Sequence, residues 1–310
     1  MRIALGILQR LGGFAVVFIG VTFVIYYSVF SLPGDPIQAL AGDRQLPESV
    51  VNALRERYLL DQPIWVQYGS FMAGLLRGDL GVDLTGRSIG PQLASRWPVT
   101  IALALTAWAL QVVLGLLVGI VSALRHGTLL DRGLLVFTIG ISCIPVFVLG
   151  LMAQLLFGVE LGWLPVAGTA AGWPAAYILP SFVIAIFGLA SVSRLVRSSM
   201  IENLSAEYVR TARAKGIGEG RVVGLHVMRN SLIPTATFLA TDLGFLLGGT
   251  VVIEGIFNLP GVGNLLFQAI RTHESAMVAA ISTAFIVIFL LTTLLVDALH
   301  ALLDPRIRRG

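Results

Sequence analysis

The chain has 310 residues, of which 56% are hydrophobic and only 12% are charged, and its mean hydropathy is +0.87. In soluble domains about a quarter of the residues are charged. This composition therefore excludes a soluble domain and is typical of a protein that crosses a membrane several times. The formal charge of +4, with basic residues flanking apolar runs, favours basic loops at a membrane surface over nucleic-acid binding. The single cysteine, Cys143, excludes an internal disulfide and a thiolate metal site.

Six apolar stretches follow one another along the chain, and each is long enough to span a membrane as a helix, which takes about 20 residues. Pro145 interrupts the third stretch, Pro180 lies within the fourth, and Asp242 is the one acid in the fifth. Neighbouring helices can satisfy the carbonyl groups that proline leaves free, so we expect six transmembrane helices in an all-α integral membrane protein. The predicted spans are residues 11–32, 99–124, 133–159, 175–193, 232–253 and 275–296.

The distribution of basic residues predicts the orientation of these spans. With the N-terminus in the cytoplasm, 14 of the 21 Lys and Arg residues lie on the cytoplasmic side, in agreement with the positive-inside rule. The remainder lie mostly in one long outer loop, beside acids such as Asp43, Glu56 and Asp79. We therefore expect both termini to be cytoplasmic.

A long extracytoplasmic segment, residues 33–98, separates the first two spans. It contains two stretches whose apolar residues recur at helical spacing, which is typical of helices that lie in the membrane interface or pack on the outer ends of spans. The predicted apolar faces are Val51, Leu54 and Tyr58 in the first stretch, and Ile64, Tyr68, Phe71, Met72 and Leu75 in the second.

The motifs of common enzymes are absent from the sequence. It has neither a glycine-rich loop ending in Gly-Lys-Ser/Thr that would hold ATP phosphates nor a Gly-x-Ser-x-Gly turn that would carry a nucleophile. The four histidines are scattered, and none has the spacing of a pair of metal ligands. Asp242 lies in mid-span and Asp297 at the cytoplasmic end of the sixth span, so the two do not form the facing acids of an intramembrane protease. We expect no catalytic residue and no metal site.

Asp242 is unusual because an acid inside the bilayer is costly unless it faces a cavity or has a partner. One interpretation is that it lines a polar pathway. The other is that it is neutralised or hydrogen-bonded within the bundle, for example to Thr241 or Thr250. The sequence leaves both interpretations open.

Two pairs of glycines are spaced by four residues within predicted spans: Gly115 with Gly119, and Gly244 with Gly248. Small residues at this spacing permit close contact between membrane helices. Because glycine is common in such helices, the spacing also arises by chance.

The sequence EYVRTARAKG, residues 207–216, is a short cationic segment in an otherwise apolar chain. Ser205 is a predicted N-cap, Glu207 lies in the first turn where an acid suits the helix dipole, and Gly216 is suited to a left-handed C-cap. A second helical stretch is expected from about Glu219 to Pro234. Such a capped cytoplasmic helix could dock in a groove of another protein, and a basic loop without a partner is an equal alternative.

The segment EYVRTARAKGIGEGRVVGLHVMRNSLIP, residues 207–234, resembles the cytoplasmic signature loop of permease subunits of bacterial ABC importers, in their dipeptide/oligopeptide branch. The general pattern of that family is Glu-Ala-Ala, three residues, Gly, nine residues and Ile-x-Leu-Pro. Only Ala212 and Gly216 match it directly, and Pro234 lies five residues further on, as is usual in the peptide branch. The resemblance extends over nearly the whole chain through LPGDP (32–36), RGDLG (77–81), EGIFNLPGVG (254–263) and LLDPRIR (302–308).

The resemblance implies a type I ABC importer permease fold in the bacterial cytoplasmic membrane. The expected organisation is an N-terminal tail and first helix (1–32), the extracytoplasmic segment (33–98), a transmembrane domain with helices two to six (99–298) that includes the cytoplasmic coupling loop (194–230), and a cytoplasmic C-terminal tail (299–310).

The resemblance also implies roles for particular residues. The coupling helix, which would fit a cleft on the ATPase subunit, falls on Glu207, Tyr208, Arg210, Thr211, Ala212, Ala214, Lys215 and Gly216. Asp242 is a candidate for lining the pathway. The outer gate, or the dock for a binding protein, falls on Glu254, Phe257, Pro260 and Gly261.

The partners that the resemblance implies are a second, homologous permease that completes a heterodimer, one or two ABC ATPase subunits, an extracytoplasmic substrate-binding protein and the lipid bilayer, with no nucleic acid. ATP and Mg would be bound by the ATPase subunits, and no cofactor by this chain. The expected function is uptake of di- or oligopeptides, with nickel chelates, glutathione or haem as alternative substrates.

Two other classes of function are weighed against this one. An ion-coupled transporter in a single chain usually has more spans, inverted repeats and several membrane acids, and proton-dependent uptake by the chain alone would identify it. A structural or signalling membrane protein would have no ATPase partner, and its deletion would cause no transport defect.

Overall fold

The computed structural model describes residues 2–30, 47–57, 59, 61–83 and 85–303. Over these residues the regular structure is helical, with one isolated antiparallel bridge between Val82 and Ser88. The motif LPGDP, most of LLDPRIR and Tyr58 lie outside the described residues.

The helices are named here in chain order. They are α1 (Arg2–Phe30), α2 (Glu48–Arg57), α3 (Ile64–Leu76), α4 (Ile89–Leu124), α5 (Leu129–Ser142), α6 (Val146–Ala153, continued as a π-helix over Gln154–Glu160), α7 (Ala175–Leu204), α8 (Glu207–Ala214), α9 (Glu219–Arg221, the π-helical Val222–Val227 and Met228–Gly249), α10 (Val251–Ile256), α11 (Val262–Arg271) and α12 (Ser275–Leu303).

Within the described part of the chain, α1, α4, α7, α9 and α12 are long and apolar enough to cross a membrane. The pair α5 and α6 makes a sixth candidate, but it is bent by 99° at the break between the two helices. Pro145 is the N-cap of α6. Proline has no N–H to donate and disfavours helical backbone in the residue before it, so the predicted third span, 133–159, is two helices with a sharp bend between them and not one continuous helix.

The ends of the other helices differ from the predicted spans where polar residues continue a helix. Helix α4 begins at Ile89, before the predicted start at residue 99, and it includes Pro98. Helix α7 continues past residue 193 to Leu204. Hydropathy alone locates the apolar part of a helix and not its polar ends, which is why these two spans were predicted too short.

The described residues belong to two compact units, of which the first draws on Met1–Thr100, Leu247–Gly255 and Pro260–Leu291. One core of this unit joins the start of α4 to α11 and α12, through Ile89, Leu93, Val262, Leu265, Leu266, Ala269, Met277, Ala280 and Ile281. A second core joins α1 to α12 and α3, through Tyr26, Phe30, Ala276 and Ala279 with Ile64, Tyr68 and Phe71 packed against them.

The amphipathic face predicted for residues 64–75 is confirmed in part. Ile64, Tyr68 and Phe71 pack on the α1 core, whereas Met72 and Leu75 are half-buried. The Tyr68 hydroxyl lies 2.8 Å from Thr22 Oγ1 and donates to the Ile19 carbonyl at 3.0 Å. Helix α3 therefore packs along α1. The first predicted face is not settled, because the side chains of Leu54 and Tyr58 lie outside the described part.

The second unit draws on Ile101–Leu246, Ile256–Leu259 and Thr292–Gly310. Its core is assembled from α4, α7, α8 and α9, through Ala123, Val192, Val196, Met200, Val209, Ala212, Val222, Val227 and Leu239. Gly115 and Gly119 let α7 approach α4 closely, because a methyl group on Gly119 would lie 2.7 Å from Val196 Cβ and 2.8 Å from the Ser193 carbonyl oxygen. The close contact predicted for this pair of glycines is confirmed.

We expect Gly119→Ala to lower the stability of the protein by about 1–3 kcal/mol, the usual cost of forcing extra atoms into a packed core. The matched control is Gly140→Ala in α5, where a methyl group would have no atom within 4 Å and where alanine favours the helix. Thermal unfolding of both variants in detergent measures the difference. Equal stabilities for the two variants would contradict the close α4–α7 contact.

Candidate functional site

The cationic segment 207–216 folds as the short helix α8 with a glycine-stabilised end. Gly216 has φ +74°, which glycine adopts without the steric penalty of a side chain. Its N–H donates to the Arg213 carbonyl at 2.9 Å, and the Ile217 N–H donates to the Ala212 carbonyl at 3.3 Å. These two bonds form a Schellman motif, so the C-cap predicted at Gly216 is confirmed.

The N-terminal end of α8 differs from the prediction. The N-cap residue is Ala206, with no side-chain cap, so the predicted N-cap at Ser205 was wrong. The Ser205 hydroxyl instead donates to the Glu202 carbonyl at 2.8 Å, and Ser205 itself is the C-cap of α7. Only two residues separate the helices, so the serine ends one helix instead of starting the next.

One face of α8 is anchored in the core of the second unit. Val209 and Ala212 are buried among Met200, Val222 and Val227. The other predicted docking residues are exposed, namely Glu207, Tyr208, Arg210, Thr211, Ala214, Lys215 and Gly216. Ala212 therefore holds α8 on its own chain, and the surface open to a partner is made by the exposed residues.

Polar contacts further fix α8 and the turn that follows it. Arg213 Nη2 lies 2.6 Å from Glu219 Oε1, and Arg213 Nε donates to Glu219 Oε2 at 3.1 Å. These two hydrogen bonds raise the pKa of the Arg213 guanidinium, so the pair stays charged at neutral pH. The Tyr208 hydroxyl donates to Asn203 Oδ1 at the end of α7 at 2.5 Å. Arg210 pairs with Glu207, whereas Lys215 forms no ion pair with any described residue. Helix α8 thus presents a fixed, mostly polar surface.

A buried ion pair that sequence reasoning missed ties α7 to the start of α5. Arg197 Nε donates to Asp131 Oδ1 at 2.7 Å, and Nη2 donates to Oδ2 at 2.8 Å. The Ser122 hydroxyl and the Gly127 N–H also donate to this carboxylate, at 2.5 and 2.9 Å. The Asp131 side chain is only 2% exposed. The spacing Thr128-x-x-Asp131 was a visible signal for a helix start, but no local pattern points to an arginine in α7.

Asp242 has a partner in the second unit, and it is neither of the two threonines that the sequence suggested. Gln111 Nε2 of α4 donates to Asp242 Oδ2 at 2.7 Å. The Thr241 hydroxyl donates to the Thr237 carbonyl, and the Thr250 hydroxyl to Glu254. Gln111 is buried while Asp242 remains half-buried, so the acid is hydrogen-bonded and still accessible.

Glu254 is fully buried in the first unit, with an exposed fraction of 0%. It accepts hydrogen bonds from the Thr250 hydroxyl at 2.8 Å and from the Asn264 N–H at 2.9 Å. Thr100 Oγ1 accepts from the neighbouring Val262 N–H at 2.8 Å. The carboxylate therefore satisfies free N–H groups in the first turn of α11, where a negative charge also suits the helix dipole.

The other residues predicted for the outer gate or the dock are placed differently from one another. Gly261 is buried, and a side chain there would collide with Glu254. Phe257, in the second unit, is buried, and its carbonyl accepts the Gly168 N–H at 2.8 Å. Pro260 is exposed. In the chain by itself, only Pro260 of these four presents surface to a partner, and the others hold their surroundings in place.

No group of three or more His, Cys, Asp or Glu side chains in the described ranges is arranged to hold a metal ion. The polar clusters that do exist are hydrogen-bonded pairs and caps.

Two protein families match this chain, and the two matched regions together include most of its residues. Residues 115–309 match the family described as "binding-protein-dependent transport system inner membrane component", and residues 4–104 match the corresponding N-terminal membrane component.

Full-length relatives agree with these families. The chain is 37% identical over 305 residues to the glutathione transport system permease protein GsiC of Escherichia coli O6:H1, covering 97% of this chain and 98% of the relative. It is 37% identical over 304 residues to GsiC of Salmonella choleraesuis, with the same coverage.

A solved structure supports the fold. The structure described as inward-facing conformations of the MetNI methionine ABC transporter aligns with a TM-score of 0.52 at 18% identity, covering 66% of this chain and 95% of the other. With the apolar helices described above, this likeness confirms the type I permease fold. The chain belongs to the family of binding-protein-dependent transport system inner membrane components, and it is a multi-pass permease subunit of an ABC importer in the cytoplasmic membrane.

Proposed function

We propose that this permease forms half of the pathway through which an ATP-driven importer takes up di- or oligopeptides. A second, homologous permease supplies the other half, a binding protein delivers the solute from outside, and one or two ATPase subunits bind ATP and Mg. This chain contributes no catalytic group and transmits the motion of the ATPases to the membrane helices. Glutathione is the second candidate substrate, because the relatives named above are glutathione permeases.

The observation that carries this proposal is the construction of α8. A short polar helix would not by itself hold one orientation, since isolated helices of this length are unstable in water. Here Val209 and Ala212 anchor one face in the core, and the Schellman motif at Gly216 fixes the end. The remaining face is free to fit a groove of the ATPase.

The mechanism that follows is an alternation between two states biased by nucleotide. When the ATPase subunits close on ATP, they displace α8. Because α8 shares one core with α4, α7 and the start of α9, its displacement carries these helices along and changes which side of the membrane the pathway faces.

The test uses Ala214, which is exposed at the end of α8. We expect Ala214→Trp to reduce ATPase co-purification with the tagged permease roughly tenfold or more, because a bulky side chain in a tightly packed docking groove removes about 2 kcal/mol or more. ATP-dependent uptake falls with it. Affinity purification from the native membrane, followed by mass spectrometry, measures the association.

The matched control is Ala94→Trp, the same change at an exposed alanine in the part of α4 predicted to lie on the outer side. It leaves the ATPase association unchanged. If Ala214→Trp retains both its ATPase subunits and its uptake at normal expression, α8 is not the docking helix.

A further inference from the structure

Asp242 lies within a membrane helix and forms no ion pair with a described residue. Asp131, Glu207 and Glu219 each form an ion pair with an arginine. Among the described residues, Asp242 receives a single hydrogen bond, from the Gln111 amide to Oδ2, and its Oδ1 receives none. An unpaired carboxylate within a membrane helix is costly unless it meets water or a cation.

The carboxylate is held in a fixed position by a neighbour that is itself fixed. Gln111 is 1% exposed, and its amide occupies space that exists only because residue 188 is glycine. A methyl group on Gly188 would lie 2.7 Å from Gln111 Nε2. One turn away, the Trp108 indole donates to the Leu239 carbonyl at 2.8 Å. Two hydrogen bonds on adjacent turns therefore hold α4 against α9 and fix the position of the Asp242 side chain.

The exposed face of α9 next to Asp242 is unlike a lipid-facing surface. It carries Thr237, Thr241 and Phe245, which recur at helical spacing and are all exposed. The exposed face of α4 is aliphatic by contrast, with Leu105, Val113, Leu117 and Val121. Hydroxyl groups and an acid on an exposed membrane helix indicate contact with a polar pathway.

Phe245 lies one turn from Asp242 and is 68% exposed. Residues three apart on a helix are neighbours, so an aromatic ring stands beside the carboxylate. A carboxylate oxygen accepts a charge-assisted hydrogen bond from an ammonium group, and an aromatic face attracts the same cation. The two groups together suit a primary ammonium group better than an anion or a neutral amide.

We propose that Asp242, oriented by Gln111 and flanked by Phe245, binds the primary ammonium group of the transported solute as it passes through the permease. This inference rests on the proposed function, since it needs the α9 face to line the pathway. It adds that the pathway selects solutes with a free amino group, whatever the rest of the solute is.

The experiment uses the purified complex with its ATPase subunits in nanodiscs and exploits the single cysteine of the chain. In a Cys143→Ala background, Phe245→Cys places a thiol beside Asp242. Its reaction rates with 2-aminoethyl methanethiosulfonate and with 2-sulfonatoethyl methanethiosulfonate are compared. We expect the cationic reagent to be preferred, and Asp242→Asn to reduce that preference by slowing the reaction of the cationic reagent roughly 30-fold, the effect of one unit charge about 8 Å away at an effective dielectric constant of about 20.

Two controls keep the test decisive. Asp242→Glu retains the charge and retains the preference, which separates electrostatic attraction from damage to the fold. Leu117→Cys, on the aliphatic face of α4, reacts with neither charged reagent.

Three outcomes overturn the inference. The first is an unreactive Phe245→Cys, which places the face against lipid or the second permease. The second is a reaction that shows no preference for the cation. The third is a preference that Asp242→Asn leaves unchanged, as when a basic residue of the second permease already pairs with Asp242. In each case ATP-dependent uptake by the Cys143→Ala complex shows whether the proposed function stands, because loss of that uptake contradicts the proposed function and not the binding of ammonium.

Discussion

Asp131→Ala will destabilise the permease by about 3–5 kcal/mol, the usual result of removing one partner of a buried ion pair. The carboxylate accepts two hydrogen bonds from Arg197 and one each from Ser122 and Gly127. Without it, a guanidinium that is only 19% exposed loses its counter-charge. Thermal unfolding in detergent, followed by tryptophan fluorescence, measures the loss.

The control for this variant is an ion pair at the surface. Asp61 lies 3.7 Å from Arg55 and is 77% exposed. Exposed pairs contribute about 0–1 kcal/mol, so Asp61→Ala stays close to wild type. A double-mutant cycle with Arg197→Ala isolates the coupling between the two side chains. An additive cycle, or an unchanged melting temperature for Asp131→Ala, would refute the structural role of the pair.

Asp131→Ala also reduces transport by more than the loss of folded protein accounts for. Arg197 lies in α7 about two turns before that helix ends at Leu204, and Asp131 lies at the start of α5. The pair is a polar connection between α7, which leads into α8, and the start of α5. We therefore expect complexes that contain the folded variant to move less solute for each ATP that their ATPase subunits hydrolyse.

Glu254→Ala is the second change with a large expected effect, because it lowers the free energy of unfolding by about 2–4 kcal/mol. It removes the acceptor for the Thr250 hydroxyl and the Asn264 N–H, both of them buried. Each buried donor left without a partner costs about 1–3 kcal/mol, and α11 also loses the acceptor at its first turn. Hydrogen exchange of α11, together with thermal unfolding of the whole protein, measures the effect.

The comparison variants for Glu254 separate charge from hydrogen bonding. Glu254→Gln keeps an acceptor oxygen of the same reach and retains most of the stability. Glu202→Ala, at an exposed position of α7, is neutral. If Glu254→Ala is as stable as Glu202→Ala and α11 exchanges no faster, the carboxylate does not hold α11.

Glu254 also illustrates how burial alters the meaning of a motif. The sequence EGIFNLPGVG placed it in an outer gate or a dock, which implies contact with another molecule. The side chain is enclosed, and its effect on any gate passes through α11. Glu254 is thus a positioning residue, and Pro260 is the exposed residue among the four predicted for the gate or the dock.

Local and compositional features of the sequence were enough to determine the class of the protein. Apolar stretches of membrane length predicted its helices, because in a bilayer the backbone must satisfy its own hydrogen bonds. The left-handed end of α8 at Gly216 was predictable for a similar reason, since that conformation penalises any side chain. The family resemblance added an expected role for the segment 207–216, which is docking on an ATPase subunit.

Tertiary structure alone decided which of these residues remain available to act. Ala212 was expected to face a partner and is buried in its own chain, while Gln111 and Arg197 carried no local signal and proved to be the partners of Asp242 and Asp131. These contacts join residues 66 and 131 positions apart. Hydrophobic periodicity reports only what lies within a few turns, and which polar side chains meet across helices depends on the packing of the whole chain.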